Sequence, residues 1–503
     1  MHRRLLRRLP ASALTAAILA ISTLAAANGV FPNAGQIAID PTDPAHIVVR
    51  TTYGILTTRQ GAEPWDWICE TAVGYGSGFH PAIALTANAT LVAGLQDGLG
   101  VASADTCGWS KASGPLDGLF VVDVSLEKND LSHAVLVTSG GSSGAGQFWT
   151  SDDDAVTWLK TGADLPAGFV PLTIDVAPSD PMRVYVTAQI GGGATKKGTL
   201  FVSDDRGASW SQFSVPNTDT DHAPYIGGVD PLDPDRLFVR NDGMPGRLFL
   251  FDRAAGTFTP IFTGTGILRG FAISPDGGAL LVGGSSDGIW RAPSDTLAFE
   301  KQSSVATRCL TWTAAGVYSC ATEFADGFTV GLSKDDAVTF EPVMHLPCVR
   351  GPLECGPDTI VGATCPSEWP AVALVIDAST CEGAGGSGGA GGSGSGGDSG
   401  SGGAGAGNTA EGGAGGTGSS SNGEGGAGAG SGGAGAGGDA IDPSSSGCAC
   451  ALAPGADPPP PSPHPTARSA PRDHAPSRAA AVPFLAAALL VFRRGRRRAT
   501  PPA

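Results

Sequence analysis

The residues able to do chemistry are few and widely spaced. Between positions 28 and 381 the histidines are His46, His80, His133, His222 and His345, and no two have the spacing of a metal-ligand pair. A lone histidine in such a chain is more often a surface or core residue than a ligand. No H-E-x-x-H, G-x-S-x-G or phosphate-loop pattern occurs. Two other chemistries have raw material. An arginine cluster can clamp a carboxylate, and Arg269 and Arg308 each stand at the start of an apolar run. A tyrosine beside an acid can act as a nucleophile. The tyrosines are Tyr53, Tyr75, Tyr185, Tyr225 and Tyr318. Paired carboxylates serve glycoside hydrolysis, but they come from distant parts of a chain, so spacing alone cannot pair them. Asp123, Asp175 and Asp230 are the least arbitrary candidates, because each lies in or beside the first apolar run of a repeat unit. No residue is assigned as catalytic, and no metal or cofactor is implied.

The elements that would position these residues are read from a repeat. Ser203-Asp204-Asp205-Arg206-Gly207-Ala208-Ser209-Trp210 fits S-x-D-x-G-x-[ST]-W throughout. Ser151 to Trp158 fits with Ala155 for glycine and keeps Asp153. Ser333 to Phe340 fits with Ala337 and a closing phenylalanine, and keeps Asp335. Four worn copies end at Trp65, Trp109, Phe258 and Phe299. The seven closing aromatics are 44, 49, 52, 48, 41 and 41 residues apart, the size of a four-stranded propeller blade. Two or three short apolar runs precede each octapeptide, and turn residues such as Asp40-Pro41-Thr42-Asp43-Pro44 and Asp230-Pro231-Leu232-Asp233-Pro234 separate them. No helical period of useful length stands out. The expected fold is an all-β, seven-bladed propeller. Residues 346–381 form a Cys-rich closing segment that finishes the last blade or caps the ring, with Ala371–Ile376 as a candidate strand.

The octapeptide resembles the Asp box of sialidase-like and sortilin-like propellers. There it forms the hairpin between the third and fourth strands, away from the central site. The resemblance implies that Ser151, Asp153, Trp158, Ser203, Asp205, Gly207, Trp210, Ser333, Asp335 and Phe340 are structural. Asp can accept turn N–H groups, and Gly permits the left-handed conformation. The Arg-Ile-Pro start that marks sialidases is absent.

Both ends read as addresses. Basic residues from Arg3 to Arg8, an apolar run from Ala11 to Ala27 and the final Ala25-Ala26-Ala27 form a secretory signal (1–27) cut after Ala27. Residues 382–447 are almost only Gly, Ser and Ala. They should be a disordered tether reaching roughly 45 Å. Then come Cys448 in Gly447-Cys448-Ala449-Cys450, a Pro-rich spacer to 478, and an apolar stretch with an Arg cluster at 479–498. The apolar stretch is expected as a short hydrophobic helix. This end resembles the myxobacterial C-terminal sorting signal, which implies processing near Cys448 and attachment to the cell surface. A plain tail anchor is the alternative.

Eight cysteines lie in the exported body: Cys69, Cys107, Cys309, Cys320, Cys348, Cys355, Cys365 and Cys381. An even number outside the cell suggests disulfides. Cys69 and Cys107 are placed to staple neighbouring blades, Cys309 and Cys320 sit on consecutive strands, and the last four cluster. The chain's formal charge is −16, and residues 28–381 hold 19 Lys and Arg against 39 Asp and Glu. That balance argues against nucleic acid as a partner. The expected function is a non-catalytic binding head for an extracellular polysaccharide or protein, anchored to a membrane through its C-terminal signal. A glycoside hydrolase or lyase is the second reading, and a structural envelope component the third.

Overall fold

The computed structural model describes residues 32–381, except 77, 113, 142 and 143. The signal segment with Ala27, the linker, Cys448 and the terminal apolar stretch lie outside the described residues.

Seven sheets, each holding a four-stranded antiparallel meander, follow one another along the described residues, with their meanders at 34–68, 83–111, 120–160, 169–214, 223–263, 270–303 and 309–344. They are blades 1 to 7 of a propeller, each meandering outward from an inner strand. The sequence gradient across a blade follows from what each strand touches. Second strands have a blade on either side and are rich in apolar residues: Ile47–Thr51, Leu91–Leu95 and Ala279–Gly284 are buried throughout. Inner strands are less buried, as in Phe120–Glu127, where buried positions are interspersed with half-buried ones. The outermost strands of blades 2 to 6 have no buried residue; Leu159–Lys160 is exposed at both. Short polar outer strands also keep the free edges from pairing with other chains.

The hydrophobic core is divided among the gaps between blades. Val92, Val121, Leu136 and Trp158 join blades 2 and 3, and Phe238, Leu248, Phe271 and Leu280 join blades 5 and 6. Each closing aromatic sits at or just before its blade's fourth strand. From there Trp210, Phe258, Phe299 and Phe340 reach an aromatic of their own or an adjacent blade: Trp210 meets Phe148 edge-on at 5.6 Å, and Phe299 meets Phe262 at 5.1 Å.

The four antiparallel strands of blade 1 all come from the N-terminal side and those of blade 7 from the C-terminal side, so neither blade's own four strands cross the seam. The closing segment does that work. Strand Val349–Pro352 leaves blade 7 and pairs in parallel with the outer strand of blade 1, Val349 opposite Trp65. Trp65 donates its indole N–H to the Val343 carbonyl at 2.9 Å, tying blade 1 to blade 7 directly. Helix Ile360–Val375 then packs on blade 1, with Trp369 against Trp67 at 5.6 Å.

Three sequence expectations are corrected here. Residues 371–375 belong to this helix rather than to a strand. The helix is apolar on nearly all sides, so it carries no period to read. Cys69 and Cys107 do not bond to each other; they bond to Cys365 and Cys355. Only Cys348 and Cys381 of the last four pair locally. Cys309 and Cys320 are directly opposite in register and do bond. Among the described residues no helix is long and apolar enough to cross a membrane.

Candidate functional site

The octapeptides fold as the hairpin between third and fourth strands. In blade 4 the Ser203 hydroxyl accepts the Gly207 N–H at 2.7 Å. Asp205 accepts the Ser209 N–H at 2.8 Å and its hydroxyl at 2.6 Å. Ser151 with Asp153, and Ser333 with Asp335, repeat the pattern. The fifth position is left-handed in all three: φ is +86° at Gly207, +64° at Ala155 and +71° at Ala337. The alanines show that the bonded turn, not glycine alone, holds this conformation. The Thr339 hydroxyl, followed by its N–H, lowers the Asp335 carboxyl to about 2. These acids are occupied in turns and are not free for catalysis. One group of acid and thiol residues lies at metal-binding distance among the described residues, Glu63 with Cys348 and Cys381, and its two sulfurs are bonded to each other.

The three aspartates singled out above also have structural partners. Asp230 accepts the Leu232 N–H and pairs with Arg236 at 3.0 Å, closing the loop between the first two strands of blade 5. The same six-residue step joins Asp40 to His46 in blade 1 and Glu127 to His133 in blade 3. This acid-to-base step is a second repeat that the turn residues foreshadowed. Asp123 and Asp175 lie on the inner strands of blades 3 and 4 and stitch them together: Asp123 accepts the Ile174 N–H at 2.9 Å, and Asp175 accepts the Ser125 hydroxyl at 2.9 Å. An inner strand shows an unpaired edge to the axis, and side chains of the preceding blade satisfy it. Gln36 does so for Ile83, and Thr173 for Ile226. Burial pushes the Asp123 carboxyl up to about 7, against the two N–H groups it accepts and the more distant Arg50.

Charge converges elsewhere on the axis. Arg50 lies on the second strand of blade 1, and Arg240 and Asp242 on that of blade 5. Arg269 and Arg308 immediately precede the inner strands of blades 6 and 7, and His80 comes shortly before that of blade 2. All six line one cavity of about 60 Å³. Chain segments from five blades meet there, where inner strands begin and second strands end.

Arg50 is 8% exposed. It fits because residue 35 is glycine; a Cβ there would come within 3.0 Å of an Arg50 Nη. Burial lowers Arg50 to about 10, with Tyr75 and Asp123 opposing. Its Nε has no hydrogen-bond partner, and neither has Oδ1 of Asp242. Arg240 donates to the Leu268 carbonyl at 3.1 Å and stacks over Tyr225 at 4.9 Å. Burial lowers its pKa too, with Asp242 and Tyr225 opposing and Arg269 reinforcing. Among the described residues no carboxylate forms an ion pair with Arg50, Arg240 or Arg269. By contrast, Arg183, Arg206, Arg236, Arg253, Arg291 and Arg350 each have at least one.

Sequence reasoning placed Arg269 and Arg308 at the starts of inner runs, and the fold brings those two together. It missed Arg50 and Arg240. Their signal is a charge directly after three apolar strand residues, in Ile47-Val48-Val49-Arg50 and Leu237-Phe238-Val239-Arg240. Tyr75 stands near Arg50, but burial, and secondly Glu70, push its phenol well above the usual tyrosine range. It holds its proton, the opposite of what a nucleophile needs.

No family description matches the sequence, and no curated protein is detectably similar. Solved structures with a similar fold include an ancestral GH74 enzyme at 13% identity and TM-score 0.45, covering 58% of this chain and 44% of that one. A GH74 enzyme of Niastella koreensis is similar at 12% identity and TM-score 0.40, covering 62% and 53%. The Dos1 propeller is similar at 15% and 0.41, covering 58% and 80%. The chain spans about half the length of the two enzymes. At this level of likeness the neighbours say nothing of what this chain binds.

Proposed function

We propose that this chain is an exported binding head whose axial pocket captures one anionic group of an extracellular ligand, without a reaction following. One observation carries the reading. Four of the body's 19 cationic residues meet in one cavity, in a body where acids outnumber bases two to one. A buried guanidinium with an unpartnered Nε is costly unless an anion or ordered water completes it. The Asp-box reading of the turns, and display on the surface by the C-terminal segment, belong to the same proposal. The bonded octapeptides support the first, and the Gly-rich run with its basic apolar end the second. Four disulfides accord with an oxidising compartment.

A glycoside hydrolase is the second reading. It is favoured by Asp123, whose carboxyl at about 7 could hold a proton near neutral pH. The test is to expose the full-length chain to acidic and neutral polysaccharides, reading retention and new reducing ends. Retention of acidic polymers alone, weakened about tenfold or more in Arg50→Gln, supports the binding head. New reducing ends overturn it in favour of hydrolysis. Retention unchanged in Arg50→Gln removes the pocket from the reading.

A further inference from the structure

The pocket holds charge of both signs, and that narrows what can fill it. This narrowing holds only if the pocket binds an anion, as proposed above. Arg50 and Arg269 can meet an anion. Asp242 shares the cavity, and its Oδ1 is buried without a partner. A carboxylate oxygen accepts hydrogen bonds and donates none, so this atom needs a donor. Sulfate or a simple carboxylate brings only acceptors and sets like charge beside Asp242. An amino acid brings a donor, but its ammonium would enter a cavity lined by four guanidinium groups. A neutral hydroxyl next to a carboxylate meets both demands. A cavity of about 60 Å³ has room for a few water molecules. It can therefore take a carboxylate with its adjoining hydroxyl, while the rest of the ligand stays outside.

We infer that the pocket recognises a hydroxy-carboxylate of the uronic acid type, with Arg50 and its neighbouring arginines on the carboxylate and Asp242 accepting from the adjacent hydroxyl. The full-length chain is titrated with glucuronate, cyclohexanecarboxylate and inorganic sulfate. The wild type should prefer glucuronate over both others by about tenfold or more. In Asp242→Ala the preference over cyclohexanecarboxylate should collapse while carboxylate binding persists. Arg50→Gln should lose both ligands. Equal binding of the three probes by the wild type overturns the inference without needing any variant to fold. So does a preference that survives in Asp242→Ala. Both results leave the anion-binding reading standing, whereas no binding of any probe overturns the two together. A glucuronate-ended oligosaccharide separates the sources. If it binds at least as well as the monosaccharide, the source is a chain end; if it is excluded, the source is a free acid.

Discussion

At Asp123 the structure turns a candidate catalyst into a measurable linkage. Its carboxyl titrates at about 7 when folded against an ordinary value of 3.8. Between those pH values the unfolded chain has lost this proton and the folded chain keeps it. Folding therefore takes up a proton, and stability falls as pH rises through this window. The ceiling is roughly 4 kcal/mol, lessened because the side chain keeps some solvent contact along the axis. Asp123→Asn has no such proton to lose. The melting temperature of the wild type minus that of the variant should be larger at pH 5 than at pH 8; a difference flat with pH would exclude the linkage. Residues such as Asp123 show why the site was only half legible. Asp153, Asp205 and Asp335 could be read because each works within eight neighbouring positions. Arg50 and Arg240 act together only once the ring has closed, and nothing local in the chain links their positions.

Among the elements, the blades were legible because each must end on an aromatic that packs between sheets. The closing segment was not, because it is defined by what it clasps. Its helix has Pro366 and Pro370 within it and shows apolar residues such as Leu374 to solvent. Cys365 and Cys355 hold this segment to blades 1 and 2 across separations of 296 and 248 residues, whereas Cys309–Cys320 spans 11 within one blade. Loop-closure entropy favours the long links, at about 5.5 kcal/mol against about 3 for the short one. Replacing Cys69 and Cys107 by serine should therefore lower stability more than replacing Cys309 and Cys320. It should also open residues 349–381 to limited proteolysis. Equal losses with an uncut closing segment would show that strand pairing and Trp67–Trp369 packing close the seam without the disulfides.

Across the whole molecule, the same cations divide into two uses. Half-exposed arginines bridge adjacent blades: Arg206 meets Glu127 and Asp152, Arg253 meets Asp204, and Arg291 meets Asp336. Each such pair contributes less than about 1 kcal/mol. They leave an acidic exterior around a basic pocket, and the two fields oppose each other for an anionic ligand. An acidic oligosaccharide approaching from a distance meets a chain of net charge −16 before it meets any guanidinium. Salt shortens the reach of that repulsion, from about 30 Å at 10 mM to about 8 Å at 150 mM. The association rate of a uronide oligosaccharide should therefore rise between those concentrations. Dissociation should quicken as well, because the arginine contacts weaken. A site whose own field steers its ligand behaves in the opposite way, and its association slows with salt. Stopped-flow measurement at both concentrations separates the cases. An association rate that falls with salt would mean that the pocket's field reaches past the acidic rim, so that long acidic polymers could approach it as readily as short ones.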